Sequence, residues 1–387
     1  MKIILTGASA LALSATALHA GGIERTQQSA MILYETGNVL EFSLGYANPS
    51  LTGKNIISRV PPVGAQSIDD VADGFWLPSF SVKYDVNDRL ALALIYDRPF
   101  GADIAYESGN QPLGGTTAEA NTNTLTALAK YQFDDNWSAF GGLRFQQAEG
   151  DIHLQGAAYG AVSGYEVNLD KTNGLGYVLG AAYEVPEIAL RVALTYNSSI
   201  THDMDTKESG PLVDPDGPGP IPALPLLDGD SETEVKTPES WNLEFQTGIA
   251  EDTLLFGGVR YVKHSQFRVD PDNLDLVTGN GLIDLEDSTA YTLGVGRRFN
   301  DKFSAAISAT YEAPGDDLVS PLAPTTGYTQ LRLAGSYNVN EAVTVSGGVS
   351  YFWLGDAKPE TGTPDVARAD FEDNDSWGVG LKVAYRF

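Results

Sequence analysis

From residue 38 onward the chain alternates between large apolar side chains and small or polar ones. Leu40, Phe42, Leu44 and Tyr46 fall on one side of an extended strand, with Glu41, Ser43 and Gly45 on the other. The stripe recurs at Trp76–Tyr84, Leu90–Tyr96, Leu125–Phe133, Trp137–Phe145, Leu175–Tyr183 and Leu190–Tyr196. It continues at Trp241–Ile249, Leu255–Tyr261, Tyr291–Phe299, Phe303–Tyr311, Leu331–Tyr337, Val343–Trp353 and Trp377–Phe387. That is about fourteen strands, an even number as a closed bacterial barrel requires. Leu254 and Phe256 blur the parity of one stripe. Many stripes begin or end in Tyr, Trp or Phe, as interfacial girdles do.

Connection length decides between a soluble sandwich and a membrane barrel. Short connections (Asp85–Asp88, Asp134–Asn136, Val185–Glu187, Ala250–Asp252, Asn300–Asp301, Asn338–Glu341) alternate with long ones near 48–74, 98–121, 149–172, 197–238, 268–287, 312–327 and 355–376. Short turns on one side and long loops on the other mark an outer-membrane barrel. The long segments hold 35 acidic and 9 basic residues, which is nearly all of the net charge of −27. One mouth is therefore acidic, and both chain ends lie at the other, periplasmic side. In hydrocarbon only a helix or a closed sheet satisfies its own backbone.

The expected fold class is all-β, a fourteen-stranded antiparallel transmembrane β-barrel over 38–387. Lys2 followed by the apolar stretch Ile3–Leu18 reads as a signal peptide over 1–20, cleaved after Ala20 or, alternatively, Ala17. Residues 21–37 are left as a short N-terminal plug. The acidic balance excludes nucleic-acid binding through a basic patch. With no cysteine and four histidines, thiolate chemistry and a His-rich metal centre are not expected, and neither is a cofactor. His264 and Ser265 are neighbours, hence on opposite faces of a strand, while His153 and His202 fall in or near loops; no hydrolase site assembles.

Five phrases resemble the outer-membrane long-chain fatty acid transporter family (OmpP1/FadL/TodX, with aromatic-hydrocarbon members), in that family's order. Tyr84-Asp-Val-Asn-Asp-Arg-Leu90 leads into Tyr96-Asp-Arg-Pro-Phe-Gly101. Tyr131-Gln-Phe-Asp-Asp-Asn-Trp-Ser138, Leu194-Thr-Tyr-Asn-Ser-Ser-Ile-Thr-His202 and Pro238-Glu-Ser-Trp241 follow. The resemblance implies a plugged barrel that passes hydrophobic ligands without energy input. Cargo would be caught between outer loops and leave sideways where the third strand kinks, a place matched by Pro99, Phe100 and Gly101. The family's Asn-Pro-Ala element before strand one is replaced here by Leu33-Tyr-Glu-Thr-Gly-Asn38, and Asn48-Pro49-Ser50 comes too late to stand in for it.

A fatty acid needs an apolar sleeve and a cation for its carboxylate. By parity Arg144, Arg260, Arg332 and Lys382 point inward, and they are the carboxylate candidates; solvating the lumen or pairing with Glu41 and Glu244 is the plainer use for them. Ile221, Leu224, Leu226 and Leu227, between acidic runs, are candidates for outer capture. Partners expected are a long-chain fatty acid or other hydrophobic molecule, outer-membrane lipid and lipopolysaccharide, with the chain a monomer. A small-solute porin and an adhesive surface barrel are the alternatives.

Overall fold

The computed structural model describes residues 23–56, 66–109, 112–214, 223–362 and 364–387. The signal-peptide segment 1–20 and Ile221 lie outside them. Fourteen antiparallel strands form one closed barrel. They are β1 (Val39–Ser50), β2 (Phe75–Asn87), β3 (Leu90–Asp97, resuming at Gly101–Ala105), β4 (Thr117–Gln132), β5 (Trp137–Leu154), β6 (Tyr165–Val185) and β7 (Leu190–Asn197, resuming at Ile200–Ser209). The rest are β8 (Gly229–Thr237, resuming at Ser240–Ala250), β9 (Thr253–Val262), β10 (Ser288–Arg298), β11 (Phe303–Glu312), β12 (Thr326–Asn338), β13 (Val343–Gly355) and β14 (Asp375–Arg386). Closure is a continuous ladder from Val39↔Arg386 to Ser50↔Asp375, which removes both edges.

The expected stripes face outward. Phe42, Trp76, Leu143, Leu175, Leu293 and Leu381 are exposed on the wall, where lipid would cover them. Their alternate neighbours Ser81, Thr126, Arg144, Gln146, Asn242, Gln330 and Lys382 are buried inside. Aromatic contacts ring both ends: Tyr46–Trp76 at 4.9 Å and Tyr196–Trp241 at 4.7 Å on the loop side, Trp137–Tyr183 at 4.9 Å on the turn side. In the ambiguous stripe Leu255 pairs with Val295 and Val259 with Tyr291, both outward partners, so Leu254 and Phe256 are the inward pair. Phe256 fits because Gly294 leaves it room; a Cβ there would lie 2.4 Å from its ring.

Several long connections are shorter than the alternation suggested, because strands continue past the membrane. β5 and β6 run for 18 and 21 residues, about twice the 9–11 that a bilayer needs. In the upper part of β7 the pattern inverts. Ile200, His202, Met204, Thr206 and Glu208 are buried, while Thr201, Asp203, Asp205 and Lys207 face out. Above the bilayer the outer face meets water, so charge moves outward and apolar residues inward. His202 thus belongs to a strand, and His264 sits in a 3-10 turn (His264–Gln266), not in a strand as its neighbours implied.

The largest hydrophobic core lies in the loops. Leu51 and Val71, Tyr106 and Leu113, Leu154 and Tyr165, Met204 and Leu227, Leu274, Leu322 and Phe371 come from seven different connections and join one buried cluster. Ile23 and Phe100 belong to it as well. The single α-helix among the described residues, α1 (Asp272–Thr278), is held by Glu208, whose carboxylate accepts from the N–H groups of Asn273 and Leu274.

Candidate functional site

β3 breaks where the sequence reads Arg98-Pro99-Phe100. Below the break Asp97 pairs with Thr124; above it Gly101 pairs with Asn121, so three residues oppose two. Pro99 cannot donate to a ladder, which makes this a natural place for a bulge. The β4 side stays tied, because Thr122 Oγ1 accepts from Phe100 N at 3.0 Å and donates to Phe100 O at 2.7 Å. The β2 side does not. The β2–β3 ladder ends at Phe80↔Tyr96, and Phe75–Ser79 pair only with β1.

The freed edge of β3 turns to the N-terminal segment instead. Arg25 N donates to Pro99 O and Gly101 N donates to Ile23 O, both at 2.8 Å. Higher up, Ala105 N donates to Val71 O. Gly101 is therefore closely packed. A Cβ on it would fall 2.5 Å from Arg25 Cζ, so the missing side chain is the space that the guanidinium occupies.

Residues 23–37 cross the lumen and are fixed to its wall by polar contacts. Arg260 on β9 carries the most. Its Nε donates to Glu24 Oε1 at 2.8 Å, and its other nitrogens reach Asn242 Oδ1, Gln27 O and Ser240 Oγ. Ser29 donates to Glu244 at 3.0 Å and Thr26 to Asp97 at 2.9 Å. Lys83 Nζ donates to the carbonyls of Glu35 and Gly37, and Arg386 to the Glu35 carboxylate. The short 3-10 turn Met31–Tyr34 buries Ile32 and Leu33 against Ala93, Leu128, Phe140 and Val178. The Tyr34 ring meets two cations, Lys130 at 4.4 Å and Arg191 at 4.9 Å from its centre.

Between this segment and β1, β2 and β8–β12 lies a cavity of about 210 Å³. Its wall mixes small and polar residues (Ser43, Ser81, Gly258, Thr292, Ser308) with apolar ones (Ile32, Phe256, Val259). It extends to Leu77, Pro78, Ser79 and Ile95, beside the unladdered stretch of β2. A smaller cavity of about 40 Å³ lies on the loop side.

The four inward cations have separate surroundings. Arg260 is committed to the N-terminal segment. Lys382 pairs with Glu41 at 3.1 Å. Arg332 faces the cavity and donates to Ser350 Oγ at 3.3 Å. Arg144 is buried, does not line that cavity, and has Asp97 as the carboxylate acting on it. Of the capture candidates, Leu224 is exposed and bridges Val213, Leu226 is half-buried against the loop core, and Leu227 is fully buried beneath Gly210. That set is mainly loop core, with one described residue at the surface. Glu24, Arg25, Asp97 and Lys83 were missed as site residues. Glu24-Arg25 was the available signal, an adjacent pair of charges in a segment bound for a barrel interior.

Among the described residues no group of three or more His, Asp or Glu side chains is placed to hold a metal ion. The family of outer membrane protein transport proteins (OMPP1/FadL/TodX) matches over residues 5–387. No curated protein matches the chain. Among solved structures, a Pseudomonas aeruginosa FadL homologue superposes with a TM-score of 0.71 at 14% identity, covering 92% of each chain. The Pseudomonas putida toluene transporter TodX gives 0.61 at 14% identity, covering 91% of this chain and 90% of that one. The Ralstonia pickettii toluene transporter TbuX gives 0.61 at 13% identity with the same coverage. These likenesses show the same barrel. The match over nearly the whole chain shows more: this protein belongs to the OMPP1/FadL/TodX family, transporters of hydrophobic compounds in the outer membrane of Gram-negative bacteria, and is not an enzyme.

Proposed function

We propose that the protein carries long-chain fatty acids, or similarly hydrophobic molecules, passively through the outer membrane and releases them sideways between β2 and β3. The observation that carries this reading is the wall itself. The β2–β3 ladder stops at Phe80↔Tyr96, and the luminal cavity reaches that place. An apolar molecule leaving there enters lipid without crossing the periplasmic mouth. A general porin needs a water-filled lumen, and here residues 23–37 are bonded across it. Toluene, the cargo named for TodX and TbuX, would suit the same exit. Signal-peptide cleavage after Ala20 and a monomer seated in lipid and lipopolysaccharide complete the reading. A wall that closes on its own first and last strands needs no second copy.

The test uses proteoliposomes loaded with a fatty-acid-responsive dye. Deleting Arg98 removes the extra residue from the bulge and lets β3 run in one register against β4. Oleate entry should then fall by about tenfold or more, with the heat-dependent gel shift of a folded barrel retained. Unchanged entry would rule out the sideways route. A large, steady ionic current through wild-type protein in planar bilayers would rule out the plugged channel.

A further inference from the structure

The wall has a second break, between β6 and β7. Their ladder runs from Leu190↔Val185 up to Asn197↔Val178 and resumes only at Thr206↔Leu169. Ser198 still holds Tyr177, its N–H donating to Tyr177 O at 3.0 Å and its Oγ accepting from Tyr177 N at 2.9 Å. Above that tie, 170–176 and 199–205 run past each other with no laddered pair.

The cause lies in which way the side chains point. Directly opposite residues of a ladder share a face of the sheet. β7 turns over at Ser198-Ser199, so that Ile200, His202 and Met204 are buried. β8 turns over with it at Pro238-Glu239, since one register joins these two strands below and above, Asn197↔Ser240 and Ile200↔Thr237. β6 turns over only higher, near Asp170 and Lys171; at Asn173 and Leu175 it is still exposed, with Gly174 and Gly176 buried. In the register that both ladders keep, outward Leu175 stands opposite inward Ile200, and such a pair cannot form. Between the two ladders the seam is shut by side chains. Ile200 lies over Gly174 and Gly176, where Cβ atoms would fall 2.4 and 2.6 Å from it. Behind it, Gln146 Oε1 on β5 accepts from His202 Nε2 at 3.0 Å and from Thr237 Oγ1 at 2.7 Å.

The seam starts at the outer girdle, where the rings of Tyr177 and Tyr196 lie 5.9 Å apart. Its lips pass from Leu175, 66% exposed, to the exposed polar residues Asn173, Lys171, Thr201 and Asp203. That is the order of a leaflet amphiphile, apolar below and polar above. Inside, the buried face of β7 leads from Ile200 to Met204, which joins Val235 and Leu169 in the shared loop core. The lysines beside the seam are paired, Lys171 with Glu149 at 3.0 Å and Lys207 with Asp170 at 3.1 Å, so headgroup charge is not what the lips select.

We infer that the β6–β7 seam is a side entrance, through which single-chain amphiphiles seated in the outer leaflet pass into the loop region. The moving part is the upper β7–β8 ribbon, because Gly229–Thr237 is laddered to β7 alone among the described residues. Shifting it by one ladder spacing, about 5 Å, makes room for one chain and not for two. The entrance differs from the β2–β3 exit in place and in direction, and it rests on the transport reading for the cargo's onward path.

The chain has no cysteine, so the lips can be joined selectively. Asn173→Cys and Thr201→Cys, both at exposed positions, are introduced together and bridged after folding by a short bifunctional thiol reagent that reductant cleaves. The probe is octadecanol carrying a diazirine, dissolved in the outer leaflet of phosphatidylcholine proteoliposomes that hold the barrel with its loops outward. Illumination should label Ile200 and Met204 as well as the lipid-facing Trp76 and Leu143. Bridging should abolish the label on Ile200 and Met204 but not on Trp76 and Leu143, and reductant should restore it. Leu175→Cys with Thr201→Cys is the reserve pair if the first lacks the gel shift of a folded barrel or does not bridge. Ile200 and Met204 unlabelled beside a labelled wall overturns the inference. So does label that persists across the bridge, which marks a route from the mouth. Oleate entry is measured in the same vesicles. No entry with the seam labelled overturns the transport reading alone; entry with the seam unlabelled overturns the side entrance alone.

Discussion

Arg260 and Glu24 are 236 residues apart in sequence and buried against each other. Breaking a buried ion pair from one side leaves an uncompensated charge and costs about 3–5 kcal/mol. Because the barrel has its own ladders, Glu24→Gln should spend that loss on the N-terminal segment alone. The amide protons of Arg25 and Gly101, which tie this segment to β3, should exchange about a hundredfold faster or more, while those of β12 and β13 hold. Exchange that accelerates throughout the barrel would contradict a local plug. Gly101→Ala should act at the same junction, its Cβ displacing the Arg25 guanidinium at a cost of about 1–3 kcal/mol. Increased protease cutting within 23–37, with the gel shift kept, is the expected sign. Strand parity alone put Arg260, Asn242 and Glu244 inside. What parity could not supply was which inward cation meets which plug residue, because those partners are set by how a short segment threads a closed ring. The same ignorance hid Arg25, whose surroundings come from β2, β3 and the N-terminus together.

Turns and strands were legible for a different reason: their instructions are local. Four short turns use one device. Asn87, Asp134, Asn300 and Asn340 each accept, through Oδ1, from the backbone N–H groups two and three residues on. Asn300→Ala should lower the stability of the β10–β11 hairpin by about 1 kcal/mol, measured as a lower urea midpoint for refolding into lipid. The elements that escaped the sequence reading are the upper parts of β7 and β8. There the alternation persists with its sign reversed, and a search for outward apolar stripes passes over it. One loop element also carries a pH response. In the hairpin formed by Lys358–Thr361 and Val366–Ala367, burial, with the nearby Asp365 carboxylate as the second cause, pushes the Glu360 carboxyl up to about 7; Arg368 opposes this. The folded hairpin then holds its proton more tightly than the unfolded one, whose carboxyl titrates near 4.5. Its contribution is complete below that value and disappears as pH rises through about 7. Hydrogen exchange in 355–376, corrected for the intrinsic pH dependence of exchange, should show falling protection between pH 5 and pH 8. Glu360→Gln should remove the trend.

At the scale of the whole molecule the wall and the loops divide the work of burial. The wall turns its apolar side chains to lipid, so it needs little core of its own and is held by closure. The loops, carrying nearly all the negative charge, stand in water and must bury apolar surface as a soluble domain does. They do so together: one cluster takes residues from all seven long connections, plus Ile23 from the plug and Phe100 from the β3 break. Charge count and connection length told that the loops are acidic and sit at one mouth. They could not tell that the loops share a core, since each contributes only two to five buried apolar residues, split between inverted strand ends and irregular segments. A shared core should unfold as a unit. Phe371 is fully buried in it, edge-on to Tyr106 with ring centroids 6.4 Å apart, and rests on Gly53. Phe371→Ala should cost about 3–5 kcal/mol. If the seven loops are one cooperative body, exchange protection should fall together around Leu113, Tyr165, Leu274 and Leu322, and reach Ile23 and Phe100, with the membrane parts of the strands untouched. Protection lost only within 355–376 would mean that the loops are separate covers. The proposed lateral exit would then be isolated from events at the outer mouth, whereas a common core makes the β3 break and the outer loops parts of one mechanical unit.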